Sequence, residues 1–333
     1  MSNLETAPPE VASLGTPAGE AARGVQVLQP RAVPLGGPRA MTVRRTLPQR
    51  ALSLIGAWCF ADHYGPDDVS VTGGMQVPGH PHTGLQTVSW LFRGEVEHRD
   101  TTGAHAYVRP GQLNLMTAGA GIAHSEYSTP ATAVLHGAQL WVALPDRHRF
   151  TAPGLEHYEP PPHDHDGARV LVFIGSLAGS ASPVRTFSPL LGAEITLRAG
   201  RSAEFDVRPA FEHGVLVDTG RVTTAGVTAA AGQLVYRPAG AATLTLQASG
   251  GQQARVLLLG GEPLGEQIIM WWNFIGRSHD EIATYRAQWQ AERTQIATSG
   301  ARRYGMFPSR WHHTLAAPEL PHTRLRPRGP AAT

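Results

Sequence analysis

The chain contains no lysine; all 28 of its basic residues are arginine. That absence excludes Schiff-base catalysis and the Walker-type phosphate loop, both of which need a lysine amine. A single cysteine, Cys59, among 333 residues rules out an internal disulfide and any Cys-rich zinc module. No apolar run approaches the roughly 18–20 residues of a membrane-spanning helix, so no membrane protein is expected. The N-terminal segment lacks a basic start followed by an apolar stretch, so no secretory signal is read and a cytoplasmic location is expected. The formal net charge is only +2, and there is no DNA-reading motif or dense basic stripe, which argues against direct nucleic-acid binding. Histidine, by contrast, is plentiful. Sixteen are present, and eleven of them lie between His63 and His165.

Residues 1–24 are rich in Ala, Pro, Gly and Glu without periodic apolar positions, and read as a disordered tail. From Val25 onward short apolar stretches alternate with Gly and Pro: TVSWLF (87–92), QLNLMT (112–117), AQLWVAL (138–144), RVLVFIG (169–175), AEITLRA (193–199), HGVLVD (213–218), ATLTLQA (242–248) and RVLLLG (255–260). Many short strands at this spacing, with 37 Gly and 27 Pro to turn them, predict an all-β sandwich or barrel. A Pro-rich connector, residues 159–167, divides the strands into a first domain (25–158) and a second (168–265). The halves look duplicated. Gly111-Gln112-Leu113 recurs as Gly232-Gln233-Leu234, and each copy follows a strand that ends in glycine. Residues 266–299 read as a covering segment, with the aromatic Trp271–Gly276 closing a barrel end, followed by one helix. Ser278 and Glu281 make a capping box, and Ile282, Tyr285 and Trp289 share a face. Residues 300–333, rich in Arg, His and Pro, read as a flexible tail.

Two histidine pairs carry the candidate chemistry. In Pro78-Gly79-His80-Pro81-His82, an extended backbone turns His80 and His82 to one face, and Pro81 suits an edge or barrel rim. His124 and Glu126 repeat the same spacing after the glycine-rich bend 118–121. Two such strands can present three imidazoles and one carboxylate to one ion. The donor set suits Fe(II), and also Mn, Ni, Cu or Zn. On an octahedral ion, four protein ligands would leave two positions for a chelating substrate, or for substrate and dioxygen. His98, His105 and His136 read as exposed or locally satisfied, His163 and His165 as part of a solvated loop, and His312 and His313 as part of the tail.

The runs His80 to Trp90, Pro110 to Leu113 and Met116 to Glu126 resemble the pirin family, a branch of the cupin superfamily of small β-barrels. So do Leu140-Trp141-Val142, Gly261 to Gly265 and Trp271 to Phe274; the resemblance spans about Val25 to Thr294. It implies two tandem cupin β-barrels, a bicupin, with a C-terminal helix and with iron in the first barrel on His80, His82, His124 and Glu126. Gln86 departs from the family pattern, where many members have Glu. The ligand set is expected to survive, with a hydrogen bond or proton carrier behind it altered. The second half lacks equivalent pairs: His213 stands alone, and Thr245 takes the register of His124, so that barrel is expected to be metal-free.

The resemblance further implies a quercetin 2,3-dioxygenase-type activity on a flavonol or enediol-like aromatic substrate with dioxygen. Glu126, or a metal-bound hydroxide, is the candidate base. The alternative it implies is a non-catalytic, iron-dependent redox-sensing regulator that binds a protein partner; the Arg-rich tail (Arg302, Arg303, Arg310, Arg324, Arg326, Arg328) is the surface to consider for an acidic one. A monomer is expected, since paired barrels can satisfy each other within one chain.

Overall fold

The computed structural model describes residues 24–35, 41–294, 302–309, 311 and 313–327. The expected disordered tail, apart from Gly24, lies outside them, as do His312, Arg310 and Arg328. Each of the eight apolar stretches named above coincides with a β-strand to within one or two residues at its ends. The strands build two copies of one arrangement, each a seven-stranded sheet facing a four-stranded one.

In the first copy the large sheet runs, in spatial order, Gly154–Tyr158, Leu113–Thr117, Leu85–Arg93, Val134–Ala143, Trp58–Asp68, Met41–Leu47 and Arg31–Leu35. Its small sheet runs Gln76–His82, Ile122–Ser128, Val96–Asp100 and His105–Val108. In the second copy the large sheet runs Gln26–Leu28, Leu234–Arg237, Glu212–Thr219, Ala254–Gly261, Leu190–Leu197, Ala168–Ile174 and His163–His165. Its small sheet runs Ser202–Asp206, Thr243–Ser249, Arg221–Thr224 and Val227–Ala230. The two Gly-Gln-Leu segments lead into matching strands, Leu113–Thr117 and Leu234–Arg237, so the repeat read from sequence is a repeat of structure.

Two boundaries differ from the expectation. Strand Gln26–Leu28 pairs with Leu234–Tyr236, so the start of the first predicted domain completes the sheet of the second. Alternation within three residues carries no information about which sheet a strand joins. Within the connector, His163–His165 is an edge strand on Ala168–Val170, not a solvated loop, and His165 stacks on Phe205.

The two large sheets face each other across one apolar layer. Val88, Trp90, Phe92, Leu115 and Leu140 of the first meet Phe173, Leu216, Leu234, Leu257 and Leu259 of the second. Even-numbered residues of Leu85–Arg93 supply this layer, because strand side chains alternate. The odd-numbered residues therefore point into the first barrel, where Leu85 joins Phe60, Met116, Ile122 and Trp141.

The helix spans His279–Thr294 and buries Ile282, Tyr285 and Trp289 as predicted. Ser278 Oγ accepts the Glu281 N–H at 3.2 Å, while Glu281 returns to the Arg277 N–H at 2.7 Å and pairs with Arg149. Trp271, Trp272 and Phe274 pack with this helix and with Ala123 of the first barrel. A bridge between Thr83 and Phe274 fastens the aromatic segment there. Gly84 permits that contact: at φ +70°, a Cβ would stand 2.4 Å from the Ile275 carbonyl oxygen.

Several described residues of the expected flexible tail are packed instead. Tyr304 is fully buried, and Leu315 donates its N–H to Gly79 O at 2.8 Å. Trp311 Nε1–H reaches Ser125 Oγ at 2.9 Å. The Arg-rich composition hid these apolar anchors, and Arg303 itself binds Ala120 O and Gln288.

Candidate metal centre

Strand Gln76–His82 runs antiparallel to Ile122–Ser128 with His80 opposite His124. The register then shifts, so that Pro78 and Gly79 stand opposite Ser125 alone and Glu126 meets Val77. Pro78 has no N–H for a regular ladder, and the resulting bulge changes which face the chain presents. Val77, His80 and His82 all turn inward as a result, and each is buried. A tight approach fixes the bulge from outside, since a Cβ on Gly79 would lie 2.5 Å from the Trp311 ring.

These strands bring the predicted residues together. The ring of His80 lies 4.2 Å from that of His124 and 5.1 Å from that of His82. Candidate ligand atoms of His80, His82 and His124 lie within 4.8 Å of one another, and those of His98, His124 and Glu126 do so as well. His80, His82, His124 and Glu126 are all at most 1% exposed. His80 Nδ1 donates to Pro78 O at 2.7 Å, because a carbonyl only accepts, which leaves Nε2 with a lone pair. Among the described residues, Nε2 of His80, His82 and His124 has no hydrogen-bond partner. Burying a polar nitrogen this way costs about 1–3 kcal/mol each, so three converging on one place fit a cation.

Electrostatics favour the same reading. Burial pushes the His80 imidazole down to about 3, and burial with neighbouring rings holds His82 and His124 well below the usual histidine range. All three are neutral at pH 7, the form a metal requires. Glu126 Oε1 lies 3.1 Å from Ser89 Oγ, which also lies 2.9 Å from Gln139 Oε1. The hydroxyl has one proton to give. Turning the Gln139 amide so that its N–H faces Ser89 releases that proton to Glu126.

Residues 40–142 match the pirin family, and residues 192–295 match the pirin C-terminal cupin domain. The chain belongs to the pirin family. A relative from Pseudomonas aeruginosa named "Putative quercetin 2,3-dioxygenase PA1205" is 42% identical over 298 residues, covering 89% of this chain and 91% of the relative. A pirin-like protein from Caulobacter vibrioides is 34% identical, covering 76% and 90%. The crystal structure of a quercetin 2,3-dioxygenase from Acinetobacter baumannii superposes with a TM-score of 0.83 at 35% identity, covering 91% of this chain and 98% of that one. The cupin fold expected from sequence is thus the fold of this pirin.

Other residues of this pirin border the centre although the sequence reading did not place them there. His98 is 2% exposed, with Nδ1 3.3 Å from His124 Nδ1 and Nε2 3.0 Å from Asp100 Oδ2. His98 is locally satisfied, as expected, but it abuts the centre. The i, i+2 spacing of His98 and Asp100, repeating that of the other two pairs, was the available signal. His105 is partly exposed and pairs with Glu97.

Gln86 points away from the centre. Its Nε2 donates to Thr117 Oγ1 at 3.0 Å and to the Arg185 carbonyl at 3.1 Å, on the face toward the second barrel. It therefore does not supply the hydrogen bond or proton expected of that position; Ser89, on the inward face, contacts Glu126 instead. The register placing Thr245 over His124 is also one residue off. Thr245 is exposed, and the inward positions of its strand are Leu244 and Leu246, facing Ala203 and Phe205. His213 is buried with both nitrogens lacking hydrogen bonds among the described residues, and burial lowers it to about 4.

A further cluster joins the barrels. Asp218 Oδ1 lies 2.7 Å from His63 Nε2 and 2.6 Å from His136 Nε2, and Asp218 Oδ2 accepts from Arg255 Nε at 2.6 Å. Arg44 faces His63 Nδ1 at 3.1 Å and can only donate, so the His63 proton sits on Nε2 and points at Asp218. That proton occupies the lone pair a metal would need, and two guanidinium groups oppose a cation. The cluster acts as an ion-pair lock between barrels.

Proposed function

We propose that this pirin is a metal-dependent oxygenase of the quercetin 2,3-dioxygenase type. His80, His82, His124 and Glu126 hold Fe(II), and a flavonol or related enediol-bearing aromatic molecule is oxidised with dioxygen. The carrying observation is the convergence of three buried, neutral imidazoles with bare Nε2 atoms beside the Glu126 carboxylate. The names of the Pseudomonas and Acinetobacter relatives, both given as quercetin 2,3-dioxygenases and the former as a putative one, support the reaction class.

A bound divalent ion would supply Lewis acidity, lowering the pKa of a chelated hydroxyl. The chain supplies the rest. Neutral imidazoles leave Glu126 as the one anionic ligand, so a divalent cation remains electron-poor. Glu126 is also the base assigned for a substrate hydroxyl proton, and Ser89 orients its Oε1. Trp141, whose ring lies 5.2 Å from that of His82 and 4.2 Å from that of Phe60, gives an aromatic substrate an apolar wall and keeps water out.

The test is to load the protein with Fe(II) without oxygen, add quercetin, and then admit oxygen. Loss of flavonol absorbance with carbon monoxide release, abolished by His80→Ala, supports the proposal. Flavonol binding without oxygen uptake overturns it and shifts weight to the redox-dependent regulator, which capture of a partner by only one iron oxidation state would identify.

A further inference from the structure

We propose that His98 and Asp100 are positioning residues that fix which nitrogen His124 turns to the metal. The inference rests on the reading of His124 as a ligand and extends it to residues outside the ligand set. Strand Val96–Asp100 lies beside Ile122–Ser128 with Asp100 opposite His124 and His98 opposite Glu126. Three side chains therefore form a row: His124 Nδ1 is 3.3 Å from His98 Nδ1, and His98 Nε2 is 3.0 Å from Asp100 Oδ2.

The protons along this row follow from donor and acceptor arithmetic. Asp100 is held as an acceptor at both oxygens: Oδ1 takes the Thr102 N–H at 2.8 Å, the Thr102 hydroxyl at 2.6 Å and the Ala104 N–H at 3.2 Å. Its Oδ2 is left for His98, so His98 carries its proton on Nε2. In the neutral ring Nδ1 is then bare and must accept. His124 can satisfy it only by donating from Nδ1, which strips Nε2 of its proton. That Nε2 is the atom without a hydrogen-bond partner among the described residues, and His124 is grouped with His80 and His82.

His80 reaches the same state by a shorter route, its Nδ1–H bound to the carbonyl of Pro78. His124 Nδ1 instead faces a second imidazole anchored by a carboxylate. The turn Thr101–Ala104 that clamps Asp100 therefore sets, two rings away, the tautomer of a ligand. Removing such a support typically lowers metal affinity about 10–100-fold.

The experiment uses full-length apo protein and Co(II), titrated against a coloured chelator, with the visible Co(II) spectrum as a second readout. His98→Ala is expected to weaken Co(II) by about 10–100-fold. His98→Asn, whose amide oxygen falls near the lost Nδ1, is expected to recover most of that affinity. Nitrogen-15 NMR of the apo wild type should show His124 protonated at Nδ1, and His98→Ala should give a mixture of tautomers. Unchanged Co(II) affinity in His98→Ala, or a wild-type His124 protonated at Nε2, overturns the proposal. If the wild type binds no Co(II), the reading of a metal centre fails by itself, and the NMR measurement still decides the tautomer. Should His98→Ala not fold, the wild-type spectrum and His98→Asn remain decisive.

Discussion

Trp90, from the first barrel, donates its indole N–H to Glu194 of the second across 2.8 Å, and both side chains are buried. Trp90 also packs on Phe173, with ring centroids 4.6 Å apart. Replacing it with Phe keeps an aromatic ring and removes the donor. Trp90→Phe is expected to cost about 1–3 kcal/mol, the penalty for a buried acceptor losing its partner. Urea denaturation measures this, and a midpoint equal to that of wild type would show the bond to be dispensable. The shared apolar layer predicts one cooperative transition for both barrels rather than two.

Ligand binding must appear as stability. An ion at about 100 times its dissociation constant adds about 2.7 kcal/mol to the folded state. Fe(II) or Co(II) is expected to raise the melting temperature of the wild type, and a chelator to return it to the apo value. His80→Ala and His124→Ala should lose the shift, and Glu126→Gln should retain a smaller one. A full shift in His124→Ala would remove that residue from the centre.

The lock around Asp218 predicts a loss of stability in acid. Burial holds the His63 pKa below its ordinary value, with Asp218 partly opposing. Unfolded His63 takes up its proton near pH 6.5 and the folded residue only lower, so stability declines as pH falls below about 6.5. Burial alone would raise the Asp218 carboxyl, but hydrogen bonds from His136 and His63 outweigh it and leave the pKa lowered. Its contribution is present above the unfolded value of about 3.9 and is lost as pH falls through the folded one. Both groups act in the same direction. Asp218→Asn should lower the urea midpoint at pH 7 and flatten its dependence between about pH 5 and 3. An unaltered slope would assign the acid sensitivity elsewhere, to the three buried imidazoles of the centre.

Gly84 predicts the cost of loosening the barrel cover. Gly84→Ala meets both a positive φ and the Ile275 carbonyl oxygen at 2.4 Å, so it should destabilise by at least about 1–3 kcal/mol. Hydrogen exchange should accelerate at the Ile275 N–H, which bonds Thr83 O at 3.0 Å. Equal protection in the variant would mean that the cover does not depend on this contact.

Much of this architecture was legible in the residues. Alternating apolar stretches located the strands, and the two i, i+2 pairs located His80, His82, His124 and Glu126. What stayed hidden depends on pairing between distant strands. Whether His98 was buried depended on Asp100 meeting His124 across a ladder, and no local pattern encodes that register. Gln86 illustrates the same limit: its place in the motif suggested a role at the centre, but strand alternation turns Ser89 inward and Gln86 outward. The Arg-rich end hid Tyr304, Trp311 and Leu315, because composition averages over the few residues that do the anchoring.

The exchange at the chain's beginning has a practical outcome. Because Gln26–Leu28 borders Leu234–Tyr236, a fragment starting after the connector would expose a bare β edge of Leu, Val and Tyr. Such an edge invites pairing with other molecules. Expressed alone, the C-terminal half should precipitate or self-associate, and adding residues 24–35 as a peptide should restore its solubility. Cutting this gene at its apparent midpoint divides a stitched object, and the C-terminal piece is left without its hem.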